Sequence, residues 1–209
     1  MNPCHLFCLI VVLTLVKHTD AQTSKNALAD FVIPRYFVAN SDCYIYGPFD
    51  GDGSNTVICF ENNQTLSFSV KPTIEGSDKI LIKVPNTHGE FELIIVDEGN
   101  NKELFTPVRV VQLRQDLDIT RARLKKPFPF FIRLLGAEKS ENEFSFTLEN
   151  RTPHIVSLIG GNRQKHKIKS TKESTDVFWE GKLVAIDPSE FLIMTGLEQP
   201  PPSIRVAPY

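Results

Sequence analysis

Several features that would announce a function are missing from this chain of 209 residues. It has no nucleophile elbow, no phosphate-binding glycine loop and no His-Glu-x-x-His run, so the usual local signatures of hydrolases, nucleotide enzymes and zinc peptidases are absent. Neither sign of charge dominates. The 23 Lys and Arg against 25 Asp and Glu leave a net charge of −2, which argues against a nucleic-acid partner. No apolar run reaches the roughly 18 residues that cross a bilayer as a helix. Amphipathic helical periodicity is scarce, whereas the 14 prolines suit loops and edge strands.

The longest apolar run, "LFCLIVVLTLV" (Leu6–Val16), has the length of a signal-peptide core. Thr19 and Ala21 sit at the small-residue positions of a cleavage site, although no Lys or Arg precedes the run. The expectation is a signal peptide over 1–21 and a secreted, extracellular chain beginning near Gln22. Cys4 and Cys8 leave with that segment, and Cys43 and Cys59 remain. In an oxidising compartment two cysteines are expected to pair. Such a bridge would close a loop of roughly 15 residues, worth about 3 kcal/mol in the chain-entropy picture. The alternative is a pair of thiols with a basic partner among His88, His154 and His166. Two glycosylation sequons, at Asn63 and Asn150, agree with secretion.

What the sequence has in quantity is two-residue alternation. "QTLSFSV" (Gln64–Val70), "DKILIKV" (Asp78–Val84) and "NEFSFTLEN" (Asn142–Asn150) each send apolar residues to one face, with Phe144, Phe146 and Leu148 inward in the last. Gly- and Asn-rich turns separate these runs. "PFPFFIRLL" (Pro127–Leu135) reads as a buried entry strand, and "LRQDLDITRARLKK" (Leu113–Lys126) as a connector. The fold class is therefore all-β, an antiparallel β-sandwich. Residues 22–112 carry 7 Lys and Arg against 12 Asp and Glu, and residues 113–209 carry 15 against 12. That shift favours two small tandem sandwiches, over 22–115 and 116–209, above one larger sandwich.

Three local patterns bear on binding. "FDGDGSNTVICFE" (Phe49–Glu61) puts Asp50, Asp52, Ser54 and Glu61 at the oxygen-ligand positions of a calcium loop. Strand-like flanks and Asn55 at the usual glycine position make a Gly-rich hairpin connection the better reading, and no metal is assigned. "RQKHKIKSTK" (Arg163–Lys172) holds five cations. As a strand it would line up Lys165, Lys167 and Lys169 beside Arg163 at about 6.6–6.8 Å intervals. That ladder fits an anionic extracellular glycan, or it guards an edge strand against aggregation. The single Trp179 either lines a sugar site or packs in the core. Nothing reads as catalytic, and no cofactor is implied.

The C-terminal half, roughly Leu117–Val206, resembles the farnesoic acid O-methyltransferase-like domain of invertebrate proteins. The resemblance rests on "FSFTLENRTPHIVSLIGGNRQKHKI", a strand ending in an Ile-Gly-Gly turn followed by a basic strand, and on "LVAIDPSEFLIMTGL". The chain departs from that pattern at Asn162, at Leu192-Ile193-Met194 and in "EQPPPSIRV". The resemblance implies a β-sandwich and an extracellular recognition role. The family name suggests methyl transfer, but the chain has no Gly-rich strand-to-helix turn to hold S-adenosylmethionine. The expected partner is an extracellular glycan or protein. A small secreted enzyme, methyltransferase or hydrolase, and a structural subunit are the alternatives.

Overall fold

The computed structural model describes residues 31–49, 56–62, 66–74, 76, 78–99, 102–117, 123–172, 177–200 and 204–206. Among them there is no helix, and every regular element is a strand. The protein is all-β, built from antiparallel sheets in sandwich form. The leader over 1–21, Asn63 and the loop residues Asp50, Asp52 and Ser54 lie outside the described residues. No described helix is long and apolar enough to cross a membrane.

The strands are β1 (Phe31–Ile33), β2 (Tyr36–Val38), β3 (Asp42–Tyr46), β4 (Thr56–Glu61), β5 (Ser67–Val70), β6 (Thr73–Ile74), β7 (Lys79–Lys83) and β8 (Gly89–Asp97). They continue with β9 (Lys102–Leu117), β10 (Pro127–Leu135), β11 (Glu143–Asn150), β12 (Val156–Leu158), β13 (Arg163–Lys169), β14 (Val177–Ala185), β15 (Ile193–Leu197) and β16 (Ile204–Val206). The chain forms two compact units. Unit 1 takes residues up to Asn86, Glu90–Val108 and Pro201–Tyr209; unit 2 takes Thr87–Gly89 and Arg109–Pro200. The division falls inside β9, between Val108 and Arg109. The C-terminal strand also returns to unit 1, because β16 pairs with β1 from Phe31↔Val206 to Ile33↔Ile204.

Unit 1 has one sheet in the order β16-β1-β3-β7-β6, and its β5, β4 and β8 lie side by side in another. Alternation builds its core. Cys43 and Ile45 of β3 and Ile80 and Ile82 of β7 are buried, while Asp42, Tyr44 and Tyr46 face water. Ile58 and Phe60 of β4 stand opposite Ile95 and Leu93 of β8, and Phe60 packs edge-on against Phe37.

Cys43 and Cys59 are not joined by a disulfide. Cys43 sits on the buried face of β3, and burial pushes its thiol up to about 12. Cys59 lies between Ile58 and Phe60, so its side chain leaves the opposite face of β4 from those two core residues. The short loop that sequence separation suggests is therefore not closed by a bridge.

Unit 2 stacks β10, β14 and β12, in that order, against a three-stranded sheet, β13-β11-β15. Phe128, Phe130, Ile132 and Leu134 of β10 are buried, as are Phe144, Phe146 and Leu148 of β11. "LRQDL" (Leu113–Leu117) is strand rather than connector. It pairs with β10 from Gln112↔Leu135 to Leu117↔Phe130, and its polar residues Arg114 and Asp116 alternate outward into an ion pair. Gly181 of β14 marks a tightly packed point, since a Cβ there would intrude into the Phe130 and Trp179 rings. Gly181→Ala is expected to destabilise unit 2 by roughly 1–3 kcal/mol. Urea unfolding followed by Trp179 fluorescence tests this, and an unchanged midpoint would contradict the packing described.

Candidate functional site

Among the described residues, β13 is the last strand of its sheet and pairs with β11 alone, from Glu143↔Lys169 to Glu149↔Arg163. Its exposure alternates as the sequence requires. Arg163, Lys165, Lys167 and Lys169 face water, and Ile168 is buried. The three lysine side chains are 63%, 64% and 71% exposed, so the ladder read from the sequence is brought together on one face.

The ladder is partly compensated. Lys165 bonds Glu198 at 2.7 Å, and Glu143 is shared between Lys167 and Lys169, the latter at 3.2 Å. The hydrogen bond from Lys167, followed by that from Lys169, holds the Glu143 carboxyl below its ordinary range. Glu149 bonds Arg151 at 2.9 Å. In these pairs four cations meet three carboxylates on and beside this face. Such exposed pairs hold loosely, because water and salt screen them. Between the lysines and β15, the floor of the face is made of small residues: Ser145, Thr147 and, opposite Thr147, Gly196.

Trp179 does not join the ladder. It points inward from β14, half-buried, with Phe130 and Phe146 packed edge-on at 5.6 and 5.7 Å. His166 stacks on it at 4.3 Å between ring centroids. With that ring against it, the indole is part of the packing rather than a sugar platform. His166 was legible all the same: if the lysines of "KHKIK" face out, the interleaved His166 and Ile168 must face in.

The turn before β13 is fixed by the Gln164 amide. Gly160 and Gly161 adopt φ of +104° and +108°, a conformation that side chains disfavour, and a Cβ on Gly160 would press on the Gln164 amide. Gln164 Nε2 donates to Ile159 O at 3.0 Å and to Gly161 O at 2.8 Å. Upstream of the turn, Asn150 Nδ2 donates to Val156 O at 2.7 Å, and Asn150 Oδ1 accepts from Thr152 N at 3.0 Å. Asn150 is 5% exposed. The amide nitrogen that a glycan would occupy is therefore already engaged inside the fold.

Of the calcium pattern, Glu61 alone lies among the described residues. Glu61 ends the extended strand β4, roughly 16 Å from Thr56 at the strand rise, and accepts a hydrogen bond from Ser67 Oγ at 3.2 Å. Among the described residues, no group of three His, Cys, Asp or Glu side chains is placed to hold a metal ion.

No protein-family model and no curated protein matches the chain. Among solved structures it is similar to the Yersinia pseudotuberculosis adhesin InvE, with TM-score 0.27 and 11% identity over 83% of this chain and 56% of that one. It is similar to the D0–D1 domain of intimin, with TM-score 0.29 and 10% identity over 87% and 97%. A third likeness is to Salmonella alpha-2-macroglobulin reacted with methylamine, with TM-score 0.28 and 10% identity over 90% and 15%. The chain thus spans little more than half of the adhesin. At scores of this size the fold rests on the strands described above, and the function on the site.

Asn150→Ala removes a buried amide and leaves the Val156 carbonyl and the Thr152 amide short of a partner, so it is expected to cost about 1–3 kcal/mol. Peptide mass spectrometry of protein made in a glycosylating host should find Asn150 unmodified. A fully occupied glycan at Asn150 on folded protein would contradict the buried geometry.

Proposed function

We propose that this chain is a secreted, non-catalytic binding protein that recognises an anionic extracellular glycan through the outer face of β13. The observation that carries this reading is the row of Arg163, Lys165, Lys167 and Lys169, all exposed on one face of an edge strand. Cations about 6.6–6.8 Å apart match successive sulfates or carboxylates on an extended sugar chain. Glu143 and Glu198 hold the lysines in line without burying them, and a ligand sulfate can take over their bonds at little cost. The small residues Ser145, Thr147 and Gly196 leave room for such a chain to lie across the sheet. The resemblance of the C-terminal half to the farnesoic acid O-methyltransferase-like domain belongs to the same proposal, as a recognition module and not as a methyltransferase.

A glycan array, read with wild-type protein and with a Lys165→Ala, Lys167→Ala, Lys169→Ala triple variant, tests the reading. Wild type should bind sulfated or uronic-acid glycans but not their neutral counterparts. The affinity should fall steeply as salt rises from about 0.05 to 0.5 M, where screening shortens to a few ångströms. The triple variant, with unchanged Trp179 fluorescence, should lose at least about tenfold in affinity, as expected for removing several attractive charges. Absence of any anionic-glycan binding by wild type would leave the lysines as edge protection.

A further inference from the structure

β13 has a second face, turned inward. There His166 lies on Trp179 with 38° between the ring planes, and Phe146 borders the imidazole at 5.6 Å. The Gln164 amide fixes the state of this histidine. Its Nε2 is committed to two carbonyls, Ile159 and Gly161, so its Oε1 must accept. The His166 Nε2, 2.7 Å from that oxygen, therefore carries the hydrogen. In the neutral ring the bare nitrogen is Nδ1, and a proton gained in acid goes there.

Among the described residues, no carboxylate faces that proton. Facing inward with His166 are Phe144, Phe146 and Leu148 of β11, Val177, Trp179 and Leu183 of β14, and Phe130 behind the indole. The charged residues of β13 (Arg163, Lys165, Lys167 and Lys169) lie on the other face with Glu143 and Glu198. Glu180 and Lys182 of β14 alternate outward from Trp179. Desolvation accordingly holds the imidazole below its ordinary value of 6.5. Because the folded-state value lies below the unfolded one, the stability this packing contributes is complete above about pH 6.5 and is lost as the pH falls through the folded value.

We propose that His166 is a pH-operated latch between β13 and β14: protonation at Nδ1 drives the imidazole off Trp179, loosens the strand that carries the cationic row, and releases an anionic glycan held there at neutral pH. The release half rests on the glycan-binding reading above, whereas the latch itself does not. Both ends of β13 are also tied by bonds that do not involve the imidazole. Gln164 holds the first turn, and Ser170, 1% exposed, donates from Oγ to Ser140 O at 2.6 Å and accepts from Asn142 N at 3.2 Å. Release is therefore local and leaves the ladder to β11 in place.

The chain has one tryptophan, so its fluorescence reports on this contact directly. Emission from the full chain is followed from about pH 7.5 to 5, for wild type and for His166→Gln, whose side-chain N–H can replace Nε2 but does not titrate. In parallel, the proton on the His166 ring of wild type is titrated by nitrogen NMR, which needs no variant to fold. The expected result is a wild-type emission change centred below pH 6.5 that coincides with the ring titration and is absent from His166→Gln. Sulfated-glycan affinity should fall several-fold over the same range in wild type and stay level in the variant. A flat wild-type emission, or the same change in His166→Gln, overturns the latch. Affinity that holds or tightens in acid while the emission changes overturns the release step. A His166-dependent emission change with no glycan bound at any pH bears out the latch and removes the glycan-binding reading.

Discussion

A β-strand must send neighbouring side chains to opposite faces, and in β13 this constraint ties the candidate surface to the core. Arg163, Lys165, Lys167 and Lys169 face water only if Gln164, His166 and Ile168 face in. A slip of one residue against β11 would carry four cations into a layer made of Phe144, Phe146 and Leu148. Burying even one unpaired ammonium is prohibitive, so the register is strongly specified. The Gln164 amide then sets where the strand begins, by holding the Gly160–Gly161 turn through the carbonyls of Ile159 and Gly161.

The two faces differ in kind. Outside, exposed ion pairs between lysines and Glu143 or Glu198 hold weakly and can rearrange around an incoming anion. Inside, Trp179 is enclosed by Phe130, Phe146 and His166, with Gly181 cut away to admit the indole. That packing resists changes of volume far more than the ion pairs resist changes of partner. Rigid positioning on one side with exchangeable charge on the other suits a surface that binds without doing chemistry.

How much of this was legible in the sequence depended on whether the relevant physics was local. Alternation in "NEFSFTLEN" gave the inward Phe144, Phe146 and Leu148, and alternation in "RQKHKIK" gave the cationic face; both follow from period two alone. Partner choice was not local. The return of β16 to β1 and the strand character of Leu113–Leu117 depend on which neighbours supply hydrogen bonds. Facing was missed where a motif was read for its chemistry alone. Cys43 and Cys59 look pairable by separation until each is assigned a face of its own strand. Asn150 reads as a glycan acceptor until its amide is seen bonding Val156 O. Trp179 could not be placed until the strand bearing His166 was known to stand against it.

An edge strand is also the place where a single titrating group can act without unfolding its sheet. β10 and β14 share a continuous ladder from Pro127↔Val184 to Leu134↔Val177, so separating them would break backbone hydrogen bonds in series. β13 keeps its ladder to β11 whatever His166 does, since what links it to β14 at that point is a stack of rings and not a run of peptide bonds. Local opening is least costly where few hydrogen bonds must be surrendered. A charge gained at His166 therefore has a low-cost outlet, the movement of one strand face. The same charge placed between β10 and β14 could be relieved only by breaking the sheet.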